Sequence, residues 1–180
     1  MGTISGSWED LFERAVDAGA TSDPETDALF DKLITRLNKL PDRVLMAGDG
    51  YLVGLRDRAV AESARHLLDE DRASDALLLV DRPDHKMVDI STHGWQVLRA
   101  EVLSAAGMIE EAESAWIGIA ADASDPDEFE ESIMALIRLK RFASAAMLIR
   151  TLEHAASNTD EEDGYLPVSF FRTLLYANIN

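Results

Sequence analysis

The stretch AEVLSAAGMIEEAESAW, running from Ala100 to Trp116, reads as two short helices folded back on each other around a single glycine. Ala100 and Leu103 share one helix face, and so do Ala112 and Trp116, because three- and four-residue spacings return a side chain to the same side. Gly107 between them has the freedom a helix needs to end and reverse. The same shape occurs on either side. Upstream, Ala64 and Leu67 precede the polar turn Glu70-Asp71-Arg72, then Ala76 and Val80. Downstream, Ile133 and Leu136 precede Lys140-Arg141, then Ala145 and Ile149. The anchoring alanines 76, 112 and 145 are separated by 36 and 33 residues. A period of this length holding two helices is the sequence mark of a helical solenoid. Alanine at the anchors has a physical reason, since two helices that cross closely leave no room for a larger side chain.

These residues resemble the tetratricopeptide repeat. The second unit matches best: Ala100 at the small position of the first helix, Leu103 at the large one, and Gly107 at the turn. Ala112 and Trp116 stand at the small and large positions of the second helix, and Pro126 lies shortly beyond. The first and third units keep the apolar places without the glycine, and Pro83 closely follows the first. The resemblance covers residues 57–158. It implies an all-α, right-handed α-solenoid of antiparallel helix pairs; an unrelated bundle of paired amphipathic helices is the alternative. The expected organisation is N-terminal helices over 1–54, open to reading as a degenerate pair, three helix pairs over 55–158, and an acidic loop with a capping helix over 159–180, all in one structural domain.

The flanks fit this plan. Ser7 is placed to cap a first helix carrying Trp8, Leu11, Phe12, Ala15 and Val16, with Gly19 as its stop. Asp23 and Pro24 restart the chain as cap and first helical residue, and Leu29, Phe30, Leu33, Ile34, Leu37 and Leu40 make a stripe ending at Pro41. Gly48, Asp49, Gly50 and Gly54 indicate a turn. At the other end, an acidic loop over 158–164 leads to Phe170 and Phe171. A terminal segment with one of these rings inward and Arg172 outward would cover the open face of the last pair. The same segment is the candidate for homodimer formation.

Composition excludes several classes. The chain has 180 residues, no cysteine, 34 acids and 17 bases, so it carries −17. Thiolate metal sites, disulfides and cysteine nucleophiles are ruled out. The excess negative charge opposes binding to nucleic acid or anionic lipid. No apolar run approaches the roughly 18 residues of a membrane span, and residues 1–8 do not read as a leader, so a soluble cytoplasmic protein is expected. Residues 93–135 hold ten acids and one base, over half of the excess.

Chemistry is thinly signposted. His85, Asp89 and His93 are four apart, but Pro83, Ser91, Thr92 and Gly94 interrupt any helix that would align them as metal ligands. His66 and His154 are expected as surface or interhelical hydrogen-bonders. Asp122 to Asp127 starts like a calcium loop, with Pro126 where the hinge glycine belongs. No nucleophile elbow or phosphate-binding glycine loop is present. No catalytic residue, metal or cofactor is expected.

In the tetratricopeptide family the inner groove is lined by the first helix of each pair. That resemblance implies Arg58, Glu62 and Arg65 from the first pair, Val97, Leu98, Glu101 and Ser104 from the second, and Glu130, Glu131, Met134, Ile137 and Arg138 from the third. The paired Lys and Asn of the family's clamp for chain-end carboxylates are missing at these positions. The expected function is a non-enzymatic adaptor or small assembly chaperone that holds a basic or amphipathic segment of another protein. The alternatives are an acidic inhibitor or nucleic-acid mimic occupying a basic protein site, and a metal-dependent enzyme using His85, Asp89 and His93.

Overall fold

The computed structural model describes residues 5–21, 23–47, 50–82, 92–123, 126–156, 171–172 and 178. Among these, nine helices and no strand occur: α1 Ser5–Ala20, α2 Thr26–Asn38, α3 Asp42–Leu45, α4 Tyr51–Asp69, α5 Ala73–Val80, α6 Thr92–Ala105, α7 Ile109–Asp122, α8 Pro126–Arg138 and α9 Phe142–Ala156. The packing of helices along the chain is sequential and antiparallel, as in α1 with α2, α4 with α5, and α8 with α9. The chain divides into two compact units, Met1–Ala106 and Gly107–Asn180.

In the first unit, α1 packs on α2, α2 on α4, α4 on α5 and α5 on α6. The stripe read along α2 is its core face: Phe30, Leu33, Ile34 and Leu37 are buried, with Leu11 and Ala15 of α1 and Leu55, Ala59 and Val60 of α4 around them. Because α4 starts at Tyr51 and shares this core, no seam runs at residues 54–55. A second cluster joins Ala61, Ala64 and Leu67 of α4 to Ala76 and Val80 of α5 and Leu98 and Val102 of α6. In the second unit, α7 packs on α8, and α9 packs on both. Ala112, Trp116, Ile133, Leu136, Ala145 and Ile149 are buried there.

The helix starts differ from expectation in detail. Ser7 lies inside α1, which begins at Ser5. Asp23 does accept a hydrogen bond from the Glu25 amide at 2.8 Å, and Thr26 donates to the Asp23 carbonyl, so Pro24 and Glu25 form a turn ahead of α2. Gly50 supplies a left-handed residue, φ 79°, just before α4. Gly48 and Asp49 lie outside the described residues.

The three turns of the repeat share one backbone device. Asp71, Gly107 and Lys140 all have positive φ, 58°, 74° and 58°, and each stands five residues before an anchoring alanine. At the first and third turns the helix closes in a Schellman motif. Asp71 and Arg72 donate to the carbonyls of Leu68 and Leu67, and Lys140 and Arg141 donate to those of Ile137 and Leu136. All three anchor amides then close the next helix by donating to the residue four back, Arg72, Met108 and Arg141. Each anchor side chain is 0% exposed. Two turns without glycine thus adopt the geometry that glycine favours.

Candidate functional site

The first-helix positions form one stripe on each of α4, α6 and α8. On α4, Arg65 bonds Glu62 at 2.8 Å, while Arg58 stands 5.1 Å from the centre of the Phe12 ring and 3.6 Å from Glu9. Both contacts of Arg58 reach α1. On α6, Glu101 is exposed, Val97 is half-buried, and the Ser104 hydroxyl donates to the Ala100 carbonyl at 2.6 Å. On α8, Glu131 and Arg138 are exposed, and Glu130 and Met134 are half-buried. Leu98 and Ile137 depart from the expected set. They are 1% and 4% exposed and belong to the interior, each turned about 100° round its helix from the adjacent stripe residue, Val97 or Arg138.

A charged cluster in the first unit was not anticipated. Arg72, the residue just ahead of α5, donates to Asp27 of α2 at 2.5 Å, to Glu70 at 3.1 Å and to Asp75 at 3.0 Å. These bonds, Asp27 first, hold its guanidinium protonated well above the usual arginine range. It takes the Oδ2 of Asp27 and the Oε2 of Glu70. The other oxygens of those two carboxylates face the Nε2 of His66, at 3.7 Å for Asp27 Oδ1 and 3.6 Å for Glu70 Oε1. The His66 side chain is 10% exposed, while those of Asp27 and Glu70 are 45% and 39% exposed. One nitrogen of His66 and one oxygen from each carboxylate, atoms of the kind that could hold a metal ion, all lie within 4.8 Å of one another. Beside them is a pocket of about 150 Å³ whose walls include Asp31, Ser63, Leu67, Leu79 and Arg82.

A second cation clamp lies in the other unit. Arg141, the residue equivalent to Arg72, bonds Glu113 of α7 through its Nε at 2.5 Å, and Ser144 of α9 donates to the same carboxylate. The Arg141 bond, then the Ser144 bond, hold the Glu113 carboxyl below its ordinary range.

The local half of the first cluster was visible in the sequence, since His66 and Glu70 are four apart on one helix. Asp27, 39 residues before His66, had no such signal. His66 is interhelical as expected, and among the described residues its side chain meets Asp27 and Glu70 at ion-pair distance with no hydrogen bond. Of the earlier metal candidates, His85 and Asp89 lie outside the described residues, and His93 stands on α6. Phe170 also lies outside them. Phe171 is 0% exposed, and Arg172 faces outward to pair with Glu153 of α9. No described helix is long and apolar enough to cross a membrane. No family model, curated protein or solved structure matches the chain.

Proposed function

We propose that the chain is a non-enzymatic protein-interaction module of tetratricopeptide-like type, a cytoplasmic adaptor or small assembly chaperone. In this reading its helix pairs are those of a right-handed α-solenoid, the segment around Phe171 covers the last pair, and the outward stripes of α4 and α6 in the first unit, and that of α8 in the second, each offer a surface to a basic or amphipathic segment of another protein. The recurrent turn carries the reading: a left-handed residue five before a fully buried alanine, three times over. The stripes add carboxylates beside half-buried apolar side chains, the mixture that suits an amphipathic ligand. Site-specific photo-crosslinkers at Glu62, Glu101 and Met134 should capture one common partner from native lysate. Crosslinkers at Leu78 and Ser114, off those stripes, should not. Equal capture from both sets, or none from the first, defeats the proposal.

The second reading, an acidic inhibitor or nucleic-acid mimic, draws on residues 107–135, which contain nine acids and no base, largely on α7 and α8. Salt separates the two. A mimic loses affinity by orders of magnitude between low and physiological ionic strength, whereas a stripe with an apolar component retains most of it.

A further inference from the structure

His66 and Glu70 occupy positions that the other two repeats fill with apolar residues. Aligned on the turns, His66 corresponds to Val102 and Ala135, which are 0% and 8% exposed. Glu70 corresponds to Ala106 and Leu139. The Arg141 clamp holds its carboxylate without either polar group, so the hairpin itself does not require them. Yet in the first repeat an imidazole is nine-tenths buried, with its Nε2 aimed between two carboxylate oxygens at 3.6 and 3.7 Å, neither within hydrogen-bonding length. These contacts at ion-pair distance bring one ring nitrogen and two carboxylate oxygens together, all within 4.8 Å, at the spacing of ligands round a single cation.

We propose that His66 Nε2, Asp27 Oδ1 and Glu70 Oε1 form the protein share of a binding site for a divalent transition cation of the zinc class. Ligands about 2.0–2.2 Å from a tetrahedral cation sit about 3.4 Å from one another. The observed 3.6 and 3.7 Å, with all three atoms within 4.8 Å of one another, therefore need inward rotation of the half-exposed carboxylates. Imidazole with carboxylate favours zinc, nickel or copper over magnesium or calcium, which prefer oxygen alone. Arg72 occupies the outer oxygens of both carboxylates, so it orients them without taking the inner ones, the role that outer-shell partners play around metal ligands. Water completes the coordination from the exposed side. The site ties α2 to α4 and is independent of the partner-binding reading.

The test uses the full chain, stripped with chelator and titrated with Zn2+ and Co2+. One equivalent should bind, the Co2+ adduct should show the intense visible bands of tetrahedral coordination, and the melting temperature should rise with added metal. His66→Val and Glu70→Ala install sibling residues, so both variants should fold at least as stably without metal. Each should weaken binding by at least the roughly 10–100-fold that even an outer-shell partner commands. His154→Gln, on α9, should leave the affinity unchanged. Absence of a one-equivalent site overturns the proposal, and so does undiminished affinity in His66→Val. Equal displacement of Zn2+ by Mg2+ would also overturn it, by showing diffuse carboxylate binding.

Discussion

Arg72 and Arg141 stand at the same place in two hairpins and solve the same problem with different surroundings. Each follows a left-handed residue, closes a Schellman turn with its amide, and sends its guanidinium to a carboxylate on a neighbouring helix of its own unit: Asp27 of α2 or Glu113 of α7. Arg72 has three carboxylates to choose from, and Arg141 is shown bonding one, steadied by Ser144. At the middle turn the equivalent residue is Met108. The cation clamp is thus an addition to the hairpin, whose constant parts are the turn geometry and the buried alanine.

The constant part should be the most sensitive. Ala76→Leu and Ala145→Leu each insert bulk where the native side chain is 0% exposed, and should cost about 1–3 kcal/mol or prevent folding of the unit concerned. Urea unfolding followed by hydrogen exchange resolves the two units. Similar losses at both sites support a shared helix crossing. A loss below about 0.5 kcal/mol, the level of an unremarkable surface change, would show that the alanines do not mark one.

The clamps should differ from each other. Glu113→Ala removes the carboxylate that Arg141 and Ser144 share, on a side chain 16% exposed, and should cost about 1–2 kcal/mol. Asp27→Ala should cost distinctly less without metal, because Arg72 retains Glu70 and Asp75, and these exposed pairs are individually weak. Equal losses would mean the extra acceptors do not substitute for one another.

Acid should expose the same asymmetry. The folded Glu113 carboxyl titrates below its ordinary 4.5, so its ionised form stabilises the second unit fully above that pH. The contribution is lost as pH falls through the lowered folded value. Glu113→Gln should therefore flatten the acid limb of the second unit's stability profile and leave that of the first unchanged. Parallel limbs in wild type and variant would remove Glu113 from the account.

How much of this was legible beforehand depended on the range of the signal. Helix pairing within each unit was legible because Ala64, Leu67, Ala76 and Val80, and likewise Ile133, Leu136, Ala145 and Ile149, encode it through spacings of a few residues. The stripes were legible except at Leu98 and Ile137, apolar residues one step from the outward face, which read as groove in a string of letters and as core in three dimensions. The clamps were not. Arg72 and Arg141 looked like polar turn residues, and their acceptors Asp27 and Glu113 lie 45 and 28 residues away. The charge excess hid them as well: among 34 acids, no single carboxylate stands out.

The smallest effect separates the turns themselves. A left-handed backbone costs an ordinary L-residue about 1–2 kcal/mol, while Asp and Asn recover part of that by local hydrogen bonding and Gly avoids it. Lys140 has no such compensation, so Lys140→Gly should stabilise the second unit by about 0.5–1 kcal/mol, the relief being partly offset by the greater freedom of glycine in the unfolded chain. Asp71→Gly should gain less. The reverse change, Gly107→Ala, meets no atom within 4 Å of the added Cβ, so any loss reports backbone strain alone. A rank order of gain with Lys140 above Asp71, and a loss at Gly107, would show that three dissimilar residues serve one turn. A stability loss in Lys140→Gly would mean that its side chain contributes more to that turn than the backbone strain it imposes.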